Sequence, residues 1–240
     1  MNLILFDPAA TGAQLARSDP RAVHLLDVLR RRKGDSFDAG IINGPRGKGR
    51  LVAIDTRAIT LEFSWRSEPP AIEFEPITLI LGLPRPQTAR DILRDATSLG
   101  VAAMHFVTTE KCDANYAHSN LWRRDEWRRQ LITGAEQAFC TQLPEVFHGH
   151  ALAETIATLP ADGARVALDN YESPAPLSQT EIPGPRVILA VGPERGWSTA
   201  ERALLRAQTF RFAHLGTRVL RTETACTAAI ALVRAKLGLI

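Results

Sequence analysis

The residues best suited to chemistry lie in three short stretches, each where an apolar run gives way to glycine and charge. The first is residues 187–201, VILAVGPERGWSTAE. Five apolar residues lead straight into Gly192-Pro193-Glu194-Arg195-Gly196. Ser198 followed by Glu201 is the pattern of a capping box, so the loop is pinned between a buried strand and a defined helix start. Its two glycines let backbone groups approach a bound molecule closely. A plain strand-to-helix turn needs only one glycine and does not account for Glu and Arg together at a strand end. The second stretch is residues 215–225, LGTRVLRTETA. It also leaves a strand and enters a helix, and it sets two arginines beside Val219 and Leu220. Alternating apolar and cationic groups suit a pocket that holds an adenine and aims arginine at an anion. A cation is unfavourable near the positive end of a helix, which weights Arg221 towards function rather than towards a solvated helix start. The third stretch, Leu168-Asp169-Asn170-Tyr171-Glu172, ends another apolar run and is weak taken alone.

The elements that must position these loops are legible as a change of pattern. From residue 74 onward, strand-like and helix-like segments alternate. Strands are predicted at residues 77–83, 103–107, 166–169, 187–191 and 212–215. Helices are predicted at 87–99, 121–139, 151–159, 198–208 and 222–237. Such alternation implies an α/β domain with a mostly parallel sheet covered on both faces. Ligands of such sheets bind at the carboxyl ends of strands, where all three stretches fall. Residues 1–70 are instead β-rich, with strand-like runs at 2–6, 36–41, 50–54 and 59–63. Residues 24–32, HLLDVLRRR, read as a short amphipathic helix ending near Gly34. Residues 43–49, NGPRGKG, read as a hairpin loop. Their GxxxxG spacing continues with Arg50-Leu51 rather than Lys and Ser or Thr, which excludes a phosphate-binding P-loop. Residues 68–71, EPPA, read as a linker, giving two domains, 1–70 and 71–240.

Composition narrows the classes. The chain has 240 residues, 45% hydrophobic and 23% charged, values of a globular protein rather than a disordered one. No apolar run approaches the roughly 20 residues that span a bilayer, and the start lacks a basic leader, so a cytoplasmic protein is expected. Cys112, Cys140 and Cys226 are odd in number and form no CxxC pair, which argues against a disulfide framework or zinc knuckle. The six histidines form no HExxH, and no metal site is expected. The net charge is +3. Residues 1–70 hold 11 Lys and Arg against 8 Asp and Glu, and the rest of the chain holds 18 of each. The whole surplus therefore lies in the first module, as in a polyanion-reading domain joined to a neutral catalytic one.

GPERG and LGTRVLRTETA together resemble the SPOUT methyltransferases, and more narrowly the RsmE family. That family methylates N3 of a uridine in small-subunit (16S) ribosomal RNA. Its signature is close to GPEGG followed by LGxRILRxETA. Residues 24–30 (HLLDVLR) and Lys33-Gly34-Asp35 are similar to its N-terminal module. Leu99-Gly100-Val101, Thr109-Glu110-Lys111 and Glu136-Gln137 are similar to further segments of it. The resemblance implies a C-terminal trefoil-knotted SPOUT domain, preceded by a small PUA-like β-barrel that binds RNA. It also implies a homodimer, S-adenosylmethionine as cofactor, and ribosomal RNA or the small ribosomal subunit as partner. By position, Leu168, Gly192, Pro193, Glu194, Gly196, Leu215, Gly216, Val219 and Leu220 would line the cofactor. The chain departs from the family pattern at Arg195, where Gly is usual, at Asp95 and Ser98, and at Lys111 and Cys140, where Arg is usual.

The chemistry implied is loss of the weakly acidic N3 proton and in-line attack on a sulfonium methyl. Proximity supplies much of the rate. Arg221 is the first candidate to stabilise negative charge growing on the uracil oxygens. Glu194 or Glu223 is the candidate proton acceptor, although either suits equally the structural partner of an arginine. Arg30, Arg31, Arg32, Lys33, Arg46, Lys48 and Arg50 are candidate phosphate contacts. Two rival readings are a SPOUT enzyme acting on another rRNA or tRNA position, and an inactive RNA-binding assembly factor. A third, an unrelated nucleotide-binding α/β protein, lacks GxGxxG and GxxxxGK[ST].

Overall fold

The computed structural model describes residues 3–8, 14–66 and 74–240. They form two compact units. One holds the described residues before 74 together with Ala135–Leu143; the other holds Phe74–Gly134 and Pro144–Ile240. A single division at residue 70 therefore overlooks the return of residues 135–143 to the first unit. Long-range bonds explain that return. The Glu136 carboxylate accepts from the Leu5 N–H at 2.9 Å, although burial pushes its pKa up. Arg46 donates to the Phe139 carbonyl at 3.0 Å and lies over its ring. Thr141 donates through Oγ1 to the Gly44 carbonyl at 2.7 Å. The linker expected at residues 68–71 lies outside the described residues.

The first unit is a five-stranded sheet of β1 (Leu3–Phe6), β2 (Gln14–Ala16), β3 (Ser36–Ile41), β4 (Arg46–Ile54) and β5 (Ala58–Trp65), in the order β1-β3-β4-β5-β2. β1 pairs with β3 in parallel and the other pairs are antiparallel. Phe6, Phe37, Leu51, Ile59 and Leu61 form its core with Leu25. Two sequence expectations shift. The helix begins earlier, as α1 (Pro20–Val23) running into a π-helical turn at His24–Val28, because Asp19 caps the Arg21 N–H and Pro20 suits the first helical position. It stops before Arg30, whose φ is 52°. Arg30 to Lys33 are consequently exposed residues beyond the helix rather than its last turn. The expected hairpin loop also shrinks, because residues 46–49 pair with β3. Gly49 sits against the Phe37 ring, which a Cβ there would meet at 2.3 Å, so the glycine makes room for packing rather than for a turn.

The second unit carries the candidate site. Its strands are β6 (Glu75–Gly82), β7 (Val101–Thr108), β8 (Glu145–Ala151), β9 (Ala164–Leu168), β10 (Ala175–Pro176), β11 (Val187–Val191) and β12 (Arg211–His214). They lie in the order β10-β12-β9-β11-β6-β7-β8, and every pair is parallel. The helices are α2 (Pro86–Ser98), α3 (Asn120–Arg123), α4 (Glu126–Gln137), α5 (Leu152–Thr158), α6 (Thr199–Ala207) and α7 (Thr222–Lys236). The single helix expected over residues 121–139 is broken at Asp125, which takes φ 52°. β8 was not legible because it is an edge strand exposed along most of its length, with no apolar alternation to read. β11 is buried at every residue, the continuous apolar run expected of a central parallel strand. Ile80, Val107, Ala167, Ile188, Trp197 and Leu205 are among the residues of the core on one face of this sheet.

Candidate active site

The three loops meet. A cavity at the carboxyl ends of β9, β11 and β12 is lined by eight of the nine residues named as candidates for cofactor contact: Leu168, Gly192, Pro193, Glu194, Gly196, Leu215, Val219 and Leu220. Asp169, Asn170, Tyr171, Arg195, Arg218 and Thr222 complete much of the rest. Gly216 is not in the wall. It turns the chain after β12 with φ 108°, a conformation L side chains rarely adopt, and its N–H donates to His214 Nδ1 at 3.0 Å.

Each loop is held by a different device. Ser198 caps α6: its Oγ accepts from the Glu201 N–H at 3.1 Å, while Glu201 Oε2 accepts from the Ser198 N–H at 2.7 Å. This is the capping box that the sequence predicts. Fully buried Trp197 donates from its indole N–H to the Leu168 carbonyl at 3.1 Å, tying the first loop to the third. Asp169 is buried and accepts from the Tyr171 and Glu172 N–H groups at 2.8 and 2.7 Å through Oδ1. Its Oδ2 accepts from Arg202 Nε at 2.7 Å. The Arg202 guanidinium lies over the Tyr171 ring, and Arg206 pairs with Glu172. The stretch that was weakest as sequence is therefore the one most firmly fixed. Arg202 gave no signal of its own, being one charged position of an amphipathic helix.

The end of β6 crosses the Pro193 turn. Glu194 Oε1 accepts from the Arg85 N–H at 2.9 Å, so this candidate proton acceptor also braces two loops. A Cβ on Gly82 would lie 2.4 Å from Pro193 Cδ and 2.6 Å from Pro193 N. Gly82→Ala is expected to destabilise the protein by about 1–3 kcal/mol, as overpacking does, and to weaken cofactor binding with it. Thermal unfolding and calorimetry check this; parent-like values would mean that the two loops can separate freely.

Arg221 is the N-cap residue of α7 and is exposed. It and Glu223 do not line the cavity, but their neighbours Leu220 and Thr222 do. The Arg221 guanidinium has no hydrogen-bond or ion-pair partner among the described residues. Glu223 lies close enough to buried Cys226 to push its thiol pKa up further, beyond the larger effect of burial. Among the described residues, no group of three or more His, Cys, Asp or Glu is placed to hold a metal ion, and no helix is long and apolar enough to cross a membrane.

A family profile described as "RNA methyltransferase domain" matches residues 72–234. The ribosomal RNA small subunit methyltransferase E of Treponema pallidum is 34% identical over 252 residues, covering 98% of this chain and 91% of that one. The chain belongs to that methyltransferase E family. A second relative, methyltransferase E 1 of Borreliella burgdorferi, is 28% identical over 99% of both chains. The fold is shared with the solved methyltransferase E of Neisseria gonorrhoeae bound to S-adenosyl methionine. That structure gives a TM-score of 0.78 at 24% identity, with 98% of this chain and 97% of that one covered. It is shared equally with a probable rRNA-methyltransferase from Porphyromonas gingivalis, with a TM-score of 0.79 at 20% identity and 100% and 99% coverage. Against the family pattern, Arg195 occupies the cavity wall and Lys111 hydrogen-bonds behind the same loop.

Proposed function

We propose that this protein transfers the methyl group of S-adenosylmethionine to N3 of a uridine in small-subunit (16S) ribosomal RNA. The observation that carries this reading is the convergence of the 168, 192 and 220 loops on one cavity. Its chemistry suits the cofactor. Leu168, Leu215, Val219 and Leu220 offer an apolar slot for a purine, and the Gly192–Gly196 backbone lies against it. Glu194 can face an ammonium, and Arg195 or Arg218 a carboxylate. A Cβ on Gly192 would press on Gly196 Cα at 3.2 Å, so a side chain there would push the two ends of the turn apart by a few tenths of an ångström. When bound, S-adenosylmethionine supplies an electrophilic methyl carbon on a sulfonium. The chain's residues hold that carbon in line with uracil N3 and keep water out. Arg221 places paired N–H donors toward the uracil oxygens, and Glu194 or Glu223 takes the N3 proton.

The resemblance supports a trefoil knot in the second unit and a PUA-like barrel for the first. It also supports a homodimer. Tyr171 and Val219 flank the cavity yet are each 81% exposed, which suits coverage by a second copy or by substrate. A ribosomal RNA substrate supports a cytoplasmic location. Deleting the gene and mapping small-subunit RNA by reverse transcription tests the function. N3 methylation blocks pairing, so one strong stop should vanish, and an unchanged map would refute the assignment.

For RNA contact, the seven candidate cations divide. Arg30, Arg31, Arg32 and Lys33 are consecutive and exposed. Lys48 already pairs with Asp38 at 2.6 Å, and Arg50 lies across from Glu62. Arg46 is committed to Phe139, so we assign it to holding residues 135–143. Neutralising the four-residue run is expected to lower the slope of log affinity against log salt by about 3, given roughly 0.7–0.9 per phosphate contact. Lys48→Ala should change the slope little. Filter binding across a salt series measures both, and an unaltered slope in the fourfold variant would remove this run from the interface.

A further inference from the structure

The capping glutamate of α6 does more than cap. Glu201 is buried, and while Oε2 takes the Ser198 N–H, Oε1 accepts from the Glu110 N–H at 2.8 Å, 91 residues earlier in the chain. The next residue, Lys111, donates toward the same segment. Its Nζ donates to the Trp197 carbonyl at 2.8 Å and to the Arg195 carbonyl at 3.4 Å. The turn presenting both residues is itself closed, by the Cys112 N–H on the Thr109 carbonyl at 3.3 Å. The loop after β7 thus donates three bonds to the loop after β11 and the helix that follows it.

We propose that Lys111 is a positioning residue for cofactor binding: its ammonium fixes the 195–197 peptide planes, so that the Gly192–Gly196 turn keeps one shape against the cofactor. Three observations point this way rather than to a phosphate contact. The ammonium is half-buried and directed at backbone oxygens of the cavity loop. Those oxygens lie just before the N-cap of α6, where a cation is unfavourable unless acceptors offset the helix dipole. A tight turn rich in glycine has little side-chain packing of its own, so bonds from outside must hold it. In this chain the site is filled by lysine, whose three rotatable donors can serve two carbonyls at once.

The inference rests on the cofactor reading above. Its test is calorimetric titration of S-adenosylmethionine into the full-length parent, Lys111→Met and Lys111→Arg, alongside steady-state kinetics on small-subunit RNA. Lys111→Met should raise the cofactor Kd and KM by about tenfold, equivalent to 1.4 kcal/mol. Saturating kcat and the KM for RNA should stay within about threefold. Lys111→Arg should restore the cofactor Kd. A parent-like cofactor Kd in Lys111→Met, or a raised KM for RNA alone, overturns the proposal, and so does failure of the arginine to rescue. Absence of binding by the parent itself would instead defeat the cofactor reading, as would unchanged binding in Leu220→Asp, which places a carboxylate in the cavity wall.

Discussion

Arg221→Ala is expected to lower kcat by about 10²–10³-fold, the scale of removing one preorganised donor from a developing oxyanion. The Kd for S-adenosylmethionine should stay within about threefold of the parent, since the guanidinium is not part of the cavity wall. The reasoning starts from position. Arg221 occupies the N-cap position of a fifteen-residue helix whose first-turn N–H groups already attract anions. A cation added there concentrates positive potential beside Leu220 and Thr222, which line the cavity. Its lack of a partner among the described residues leaves its donors available. If the charge serves only to anchor RNA, KM for RNA rises and kcat at saturation holds. Single-turnover rates with excess enzyme distinguish these outcomes, and a parent-like rate constant rejects the catalytic role. Glu194→Gln and Glu223→Gln under the same conditions decide which carboxylate takes the proton: the one that does so should lose the acid limb of the pH–rate profile.

The second large effect should come from the buried pair behind the cavity. Arg202→Ala removes the cation from Asp169, whose side chain is 2% exposed. An uncompensated buried carboxylate of this kind costs about 3–5 kcal/mol. Replacing both partners by apolar residues should not recover the loss, because Asp169 also accepts the Tyr171 and Glu172 N–H groups, which would then be left unpaired. The same lesion frees the 169–172 segment, so cofactor affinity should fall by at least about tenfold, or 1.4 kcal/mol. Urea unfolding read beside calorimetry measures both. Loss of stability with unchanged cofactor affinity would show that this segment is scaffold only.

Local information carried much of this fold. The alternation of apolar strands and amphipathic helices after residue 74 placed the parallel sheet, because each such element buries a face that its own period reveals. The capping box at Ser198 and Glu201 was readable because it closes within four residues. The errors share a cause. The helix over residues 121–139 looked continuous because nothing in the composition marks Asp125 as the residue that turns left-handed. Residues 46–49 looked like a loop because glycine in a strand is indistinguishable from glycine in a turn until Phe37 is seen to need the space.

The order of the chain was enough to establish the family, the loops that line the cavity and the sheet that carries them, since all of these follow from short-range pattern and motif. Folding in three dimensions assigned the roles. Arg46 became a brace, Glu194 a bridge to Arg85, Arg202 the counter-ion of Asp169, and Lys111 a prop behind the glycine turn. Each depends on a partner between 33 and 109 residues away. Whether a charge faces solvent, a ligand or a buried carbonyl is settled by that partner, and no feature of the neighbouring residues encodes it.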